Sequence, residues 1–113
     1  MVIYFRNKRL QKLCNTSREA DKKLGATMSK RLQQRLMELK AASTLADISH
    51  LPPPRCHELS GNRAGQLSVD LEHPYRLLFI PAHNPLTQKA DGGLDWSKVT
   101  EIEIIEIGID THK

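Results

Sequence analysis

The chain has 113 residues and a net charge of +4, with 39% hydrophobic and only 4% aromatic residues. That is enough for one domain with a single core of Leu and Ile, and too little for two. It contains no apolar run near the ~20 residues of a membrane span, and too few aromatics for a sheet that stacks RNA bases.

Val2-Ile3-Tyr4-Phe5 reads as a short strand, and the chain then turns sharply basic, which is not the pattern of a secretion signal. Asn7 suits the N-cap of a helix whose Leu10, Leu13 and Cys14 share one face. Ser17 and Asp21 interrupt that face, so either one helix runs to about Leu24 or it breaks near Asn15-Thr16-Ser17 and restarts. Gly25 suits the left-handed position that ends a helix. A second helix is predicted over 26–42, with Leu24, Met28, Leu32, Leu36 and Leu39 as its apolar stripe; Lys23, Lys30 and Gln34 fall opposite, and Arg31 and Arg35 lie on the flanks. Two helices joined so closely should pack as a hairpin.

Thr44 and Asp47 can cap one more short turn before Pro52-Pro53-Pro54 forbids helix and ladder alike. Beyond it the period becomes two. Strands are predicted over 55–59, 66–71, 75–80 and 99–109, the third nearly all apolar, as an interior strand should be. The last one slips phase at Ile104-Ile105, which predicts a bulge. Between the last two strands lies a long polar excursion from Pro81 to Lys98, of a length that is usually functional or mobile. The expected fold is α+β: one domain over residues 1–113, with a twisted, mainly antiparallel sheet of about five strands and a helical hairpin on one face.

The charge is asymmetric. Residues 1–59 hold twelve Lys and Arg against five Asp and Glu, a net +7, while residues 60–113 hold five against eight, a net −3. A basic half favours a polyanionic partner, although basic helices also serve simply as solvated faces. Cys14 and Cys56 stand far apart with no Cys-x-x-Cys or Cys/His cluster, the usage of reduced thiols in a cytoplasmic protein. No paired ligands show metal spacing, and no Gly-rich phosphate cradle follows a strand. Cys56 points to the opposite face of its strand from His57, so the pair makes no nucleophile and base.

Several stretches, in order along nearly the whole chain, carry a resemblance. They are Phe5-Arg6-Asn7-Lys8-Arg9-Leu10-Gln11-Lys12-Leu13 and Arg55-Cys56-His57-Glu58-Leu59-Ser60-Gly61. Gly65-Gln66-Leu67-Ser68-Val69, Tyr75-Arg76-Leu77, Asp91-Gly92-Gly93-Leu94-Asp95-Trp96-Ser97 and the closing Asp110-Thr111-His112 follow. This set resembles the HigB-type toxins of the RelE/ParE toxin–antitoxin superfamily. The resemblance implies a cytoplasmic, ribosome-dependent endonuclease that cuts mRNA without metal or other cofactor. It implies as partners the ribosome, mRNA and a HigA-like helix-turn-helix antitoxin. Arg76, His57, Asp110 and His112 match the family's site positions. Thr111 departs where a tyrosine is common, and a threonine cannot stack on a base. Two alternatives on the same fold are a ParE-like poison of a protein such as DNA gyrase, and an inactive member that only holds an antitoxin.

Metal-free RNA cleavage needs a base for the 2′-OH, charge stabilisation at phosphorus and an acid for the departing 5′-oxygen. Histidine serves either proton role near neutral pH, and arginine offers a fork of donors to phosphate. Arg76 is therefore assigned to phosphate, with His57 and His112 open between base and acid. Arg76, a charge in an apolar strand, is expected to open onto a wet, concave face and to contribute little to stability. Lys8, Lys12, Lys30, Arg31, Arg35 and Arg55 are the candidate RNA contacts. His50, His73 and His83, in turns, are read as structural. Convergence of basic groups with Arg76 and His57 in one patch is the feature that separates the nuclease from the gyrase-poison reading.

Overall fold

The computed structural model describes residues 1–83 and 89–111. The chain runs β1 (Val2–Phe5), α1 (Lys8–Asn15), α2 (Ser17–Leu24), α3 (Ala26–Ala41), β2 (His57–Glu58), β3 (Leu67–Asp70), β4 (Arg76–Pro81) and β5 (Glu101–Ile109). Short 3-10 turns at Leu45–Asp47, Gly61–Arg63 and Trp96–Lys98 punctuate the links. The sheet has five strands in the order β1-β5-β4-β3-β2. This is the expected α+β architecture.

Local chemistry accounts for the helices. Asn7 Oδ1 accepts the Leu10 N–H at 2.9 Å, satisfying a donor that the first turn leaves without a partner. Of the two readings open for the first helical stretch, the break is the one realised. Thr16 is extended, with φ −127°, in a run of residues, Asn15-Thr16-Ser17, of low helix preference. Gln33 Nε2 reaches the Cys14 carbonyl at 3.3 Å, so α3 caps part of the end of α1. Gly25 sits at φ +85°, where a side chain would be strained, and there α2 gives way to α3.

The sheet is mainly antiparallel, as expected, with one parallel pairing. β2–β3, β3–β4 and β4–β5 are antiparallel, but β1 runs parallel to β5. The helices carry the chain to the far edge of the sheet, and three hairpin reversals bring it back beside its first strand.

One face of the sheet is the core. Leu67 and Val69 of β3, Leu77 and Phe79 of β4, and Ile102 and Ile104 of β5 cluster with Cys14, Ala20, Leu32 and Leu39 of the helices. Because strand side chains alternate, Ser68, Asp70, Arg76 and Leu78 belong to the opposite face. β4 is interior, between β3 and β5, as its apolar sequence predicts.

Two bulges bend β5. Leu78 pairs with Glu106 and Phe79 with Ile104, so Ile105 is the extra residue, at the predicted phase slip. Arg76 pairs with Ile109 and Leu77 with Ile107, so Gly108 is a second extra residue, at φ +75°. β2 is shorter than the predicted strand over 55–59. Arg55 is left-handed at φ +46°, and Cys56 gives its N–H to the Ser49 carbonyl at 2.9 Å rather than to a ladder. Near β5, Trp96 ties its turn to the edge strand: its indole donates to Glu58 at 3.0 Å, and its ring lies 4.8 Å from that of His50, tilted by 43°.

Candidate functional site

The helix-free face of β2, β3 and β4 carries a charged cluster. Register creates it: His57 lies opposite Ser68, and Asp70 lies opposite Arg76. Arg76 Nη1 is 3.2 Å from His57 Nε2 and 3.5 Å from Ser68 Oγ. Its Nε is 3.8 Å from Asp70 Oδ1. Asp70 also takes Arg55, with Nε at 2.9 Å from Oδ2 and Nη2 at 3.4 Å from Oδ1. The His57 ring is held on its other side, Nδ1 lying 3.0 Å from the Arg55 carbonyl. Two guanidinium groups thus share one carboxylate beside one imidazole.

Arg76 is on the expected face but is not wet. It is 2% exposed, with His57, Ser68 and Asp70 against its guanidinium. The expectation of an open, weakly packed Arg76 is therefore corrected. Arg55 is the accessible member, its side chain 41% exposed. A phosphate arriving here would meet Arg55 and His57 before Arg76.

Asp110 follows directly on Ile109, the residue opposite Arg76, so the C-terminal end of β5 does return beside the central strand. Asp110 itself is partly buried and engaged in contacts. His112 lies outside the described residues.

Among the candidate RNA contacts, Lys8, Lys12, Lys30 and Arg31 are exposed on the helices. Lys12 is within 3.9 Å of Glu19. Arg35 does not belong with them. It is 2% exposed, donates from Nε to the Asp70 backbone carbonyl at 2.8 Å, and pairs with Glu38 at 3.2 Å. The physical reason is the short β2: with the strand absent beside Asp70, that carbonyl needs a donor, and Arg35 of α3 supplies it.

The open face is not uniformly basic. On β5, Glu103 pairs with Arg6 at 3.6 Å and Glu106 with Arg63 at 3.6 Å, whereas Arg55 and Arg76 stand together at the β2–β4 end. His83 is structural, as its turn position suggests, accepting at Nε2 from the Thr100 N–H at 3.0 Å and the Glu101 N–H at 3.3 Å. Both cysteines are buried, and burial pushes each thiol up to about 12, which makes them poor nucleophiles. Among the described residues, no group of three or more His, Cys, Asp or Glu is placed to hold a metal ion, and no helix is long and apolar enough to cross a membrane.

Sequence reasoning missed Asp70 and Ser68. Alternation already placed both on a polar face, but only the register puts Asp70 opposite Arg76.

No protein-family model matches this chain, and no curated protein matches it in sequence. Solved structures do match in fold. A YoeB/ParE toxin from Agrobacterium tumefaciens superposes with a TM-score of 0.55 at 12% identity, over 96% of this chain and 98% of that one. A YoeB–YefM complex from Staphylococcus aureus gives 0.54 at 13% identity, over 96% and 95%. The YoeB dimer from the same organism gives 0.54 at 15% identity, over 96% and 95%. The likeness runs end to end in both directions, so the chain has the fold of the YoeB/ParE toxins.

Proposed function

We propose that this chain is the toxin of a toxin–antitoxin pair in the RelE/ParE superfamily, of the HigB type, and that it cleaves mRNA on the ribosome without a metal. The observation that carries the reading is the convergence of Arg55, Arg76 and His57 around Asp70. That is the feature expected of a site for a phosphodiester and not required of a gyrase poison. In the resting cluster Asp70 takes Arg55 through two nitrogens and Arg76 through Nε at 3.8 Å. A phosphate, which accepts bidentate bonds from arginine, competes with it for both. Arg55 receives the scissile phosphate first, and Arg76 then turns from Asp70 and His57 onto the non-bridging oxygens to stabilise charge developing at phosphorus. His57, released from Arg76, moves a proton. Asp110 and His112 act from the C-terminal segment that follows β5. The exposed Lys8, Lys12, Lys30 and Arg31 contact ribosomal RNA. A HigA-like helix-turn-helix antitoxin, matching the complexed state in which a YoeB neighbour is known, holds the toxin inactive.

The test is mRNA cleavage on purified ribosomes by wild type, Arg76→Lys and His57→Ala, with thermal melts in parallel. Lysine keeps the charge and loses the planar fork, so Arg76→Lys should lose ~10²–10³ in rate. His57→Ala should lose ~10²–10⁴. Ribosome association should weaken steeply as salt rises, since phosphate contacts release counterions. Full cleavage by a folded His57→Ala would reject the proton-transfer role of His57, and no cleavage by folded wild type would reject the nuclease. A flat salt profile would point to a protein target and to the gyrase-poison reading.

A further inference from the structure

The imidazole of His57 is bracketed by two groups whose hydrogen-bonding roles admit no choice. A backbone carbonyl only accepts, so the Arg55 oxygen 3.0 Å away requires a proton on Nδ1. A guanidinium only donates, so Arg76 Nη1 at 3.2 Å requires a bare lone pair on Nε2. Together they select the neutral Nδ1–H form, which free histidine disfavours in water. The second ring contact sets the first, as it does in histidines that bind metals or shuttle protons.

The Arg55 carbonyl is available because of an unusual backbone. Arg55 is the one non-glycine residue at positive φ, +46°, among the described residues. A left-handed residue of this kind is strained and persists where its surroundings over-determine it. Here the surroundings are explicit. The Arg55 N–H donates to the Leu51 carbonyl at 3.1 Å, its side chain is tied to Asp70, and the flanking Pro54 carbonyl and Cys56 N–H are bonded to Asp70 and Ser49. With its neighbours engaged elsewhere, the Arg55 carbonyl turns back onto His57 two residues later.

We infer that Arg55 is a positioning residue whose left-handed backbone holds His57 as the Nδ1–H tautomer, making Nε2 the reacting atom and His57 the general base. The assignment of a base rests on the reading of this site as an RNA-cleaving one; the tautomer does not. In the step that follows, Nε2 takes the 2′-OH proton, the 2′-oxygen bonds to phosphorus, and the bond from phosphorus to the 5′-oxygen breaks. The leaving oxygen takes its proton from water. The products are a 2′,3′-cyclic phosphate and a 5′-hydroxyl, and the imidazolium returns its proton to the hydroxide left behind. Throughout, Nδ1–H stays on the Arg55 carbonyl, which stabilises the imidazolium as it forms.

The experiment reads the ring nitrogens directly. Long-range ¹H–¹⁵N correlation spectra of histidine-labelled protein, assigned with His57→Gln, should show His57 Nδ1 protonated and Nε2 bare at a pH where the ring is neutral. A protonated Nε2, or the mixture found for free imidazole, overturns the inference whether or not the chain cleaves RNA. Two variants separate backbone from side chain. Arg55→Gly adopts the left-handed conformation freely and should keep the signature while losing the guanidinium. Arg55→Val, for which that conformation is a genuine outlier, should lose it. Loss of the signature in the glycine variant, or its survival in a folded valine variant, would overturn the role of the Arg55 backbone. Should the valine variant fail to fold, wild type and Arg55→Gly decide the matter alone. Correct tautomers with no cleavage would reject the nuclease and leave the tautomer assignment standing.

Discussion

Replacing Arg76 by alanine tests both the burial and the charge arrangement of the site. The side chain is 2% exposed and reaches His57, Ser68 and Asp70. Breaking a wholly buried ion pair costs about 3–5 kcal/mol because a charge is stranded. Asp70 would not be fully stranded, since its side chain is 25% exposed and it keeps Arg55 at 2.9 Å. The ion-pair cost is discounted accordingly. A charged donor lost from His57 adds about 1.5–3 kcal/mol. The net expectation is a destabilisation of about 2–4 kcal/mol. For a domain of this size one kcal/mol moves Tm by about 4 °C, so Arg76→Ala should melt about 8–16 °C below wild type. Arg76→Met, which keeps the aliphatic stem, should recover part of that loss. Thermal melts followed by circular dichroism, with urea titrations to check that the m-value is unchanged, measure it. An Arg76→Ala variant melting within about a degree of wild type would refute the burial argument and restore the open, wet arginine that the sequence alone suggests. Arg76→Lys is accordingly the better probe of catalysis, because Arg76→Ala confounds rate with folding.

Gly108 sits at φ +75° with nothing within 4 Å of a built Cβ, so Gly108→Ala should cost only backbone strain, about 1–2 kcal/mol. Chemical denaturation measures it, and an unchanged midpoint would show that the bulge does not need a left-handed residue. The buried thiols give a pH dependence. Cys14 and Cys56 are pushed up to about 12 by burial, above the ~8.5 of an unfolded thiol. The folded state therefore retains protons that the unfolded state releases. This stabilisation is complete below ~8.5 and is lost as pH rises from there toward 12. Denaturation midpoints should fall over that window, less so when both residues are alanine, and native protein should resist thiol alkylation at pH 8. Rapid alkylation without unfolding would refute the burial.

The site was half legible in the sequence. Arg76 stood out as a lone charge in an apolar strand, and His57 stood on the polar side of its strand from Cys56. Both observations follow from the period of two, which needs no partner strand. Arg55 was read as a candidate RNA contact, and neither its positive φ nor its pairing with Asp70 was foreseen. Arg35 was read the same way from its position on the flank of a helix stripe, and it is buried. Helical periodicity says which flank a residue occupies but not whether a neighbouring element has left an unsatisfied carbonyl for it to fill.

What the sequence determined by itself was everything set within a few residues. It set the Asn7 cap, the Gly25 stop, the apolar stripe of α3, the polar and apolar faces of β3, the apolar run of β4, and the bulge at Ile104-Ile105. Those features follow from local sterics and from side-chain periodicity, which a linear sequence carries in full. Only the tertiary structure decided that β1 runs parallel to β5, that Asp70 faces Arg76, and that Arg35 replaces a missing stretch of β2. Each of these joins residues far apart in the chain. Register and burial depend on which strands become neighbours, and the free energy that selects neighbours is summed over the whole core rather than written at any one position.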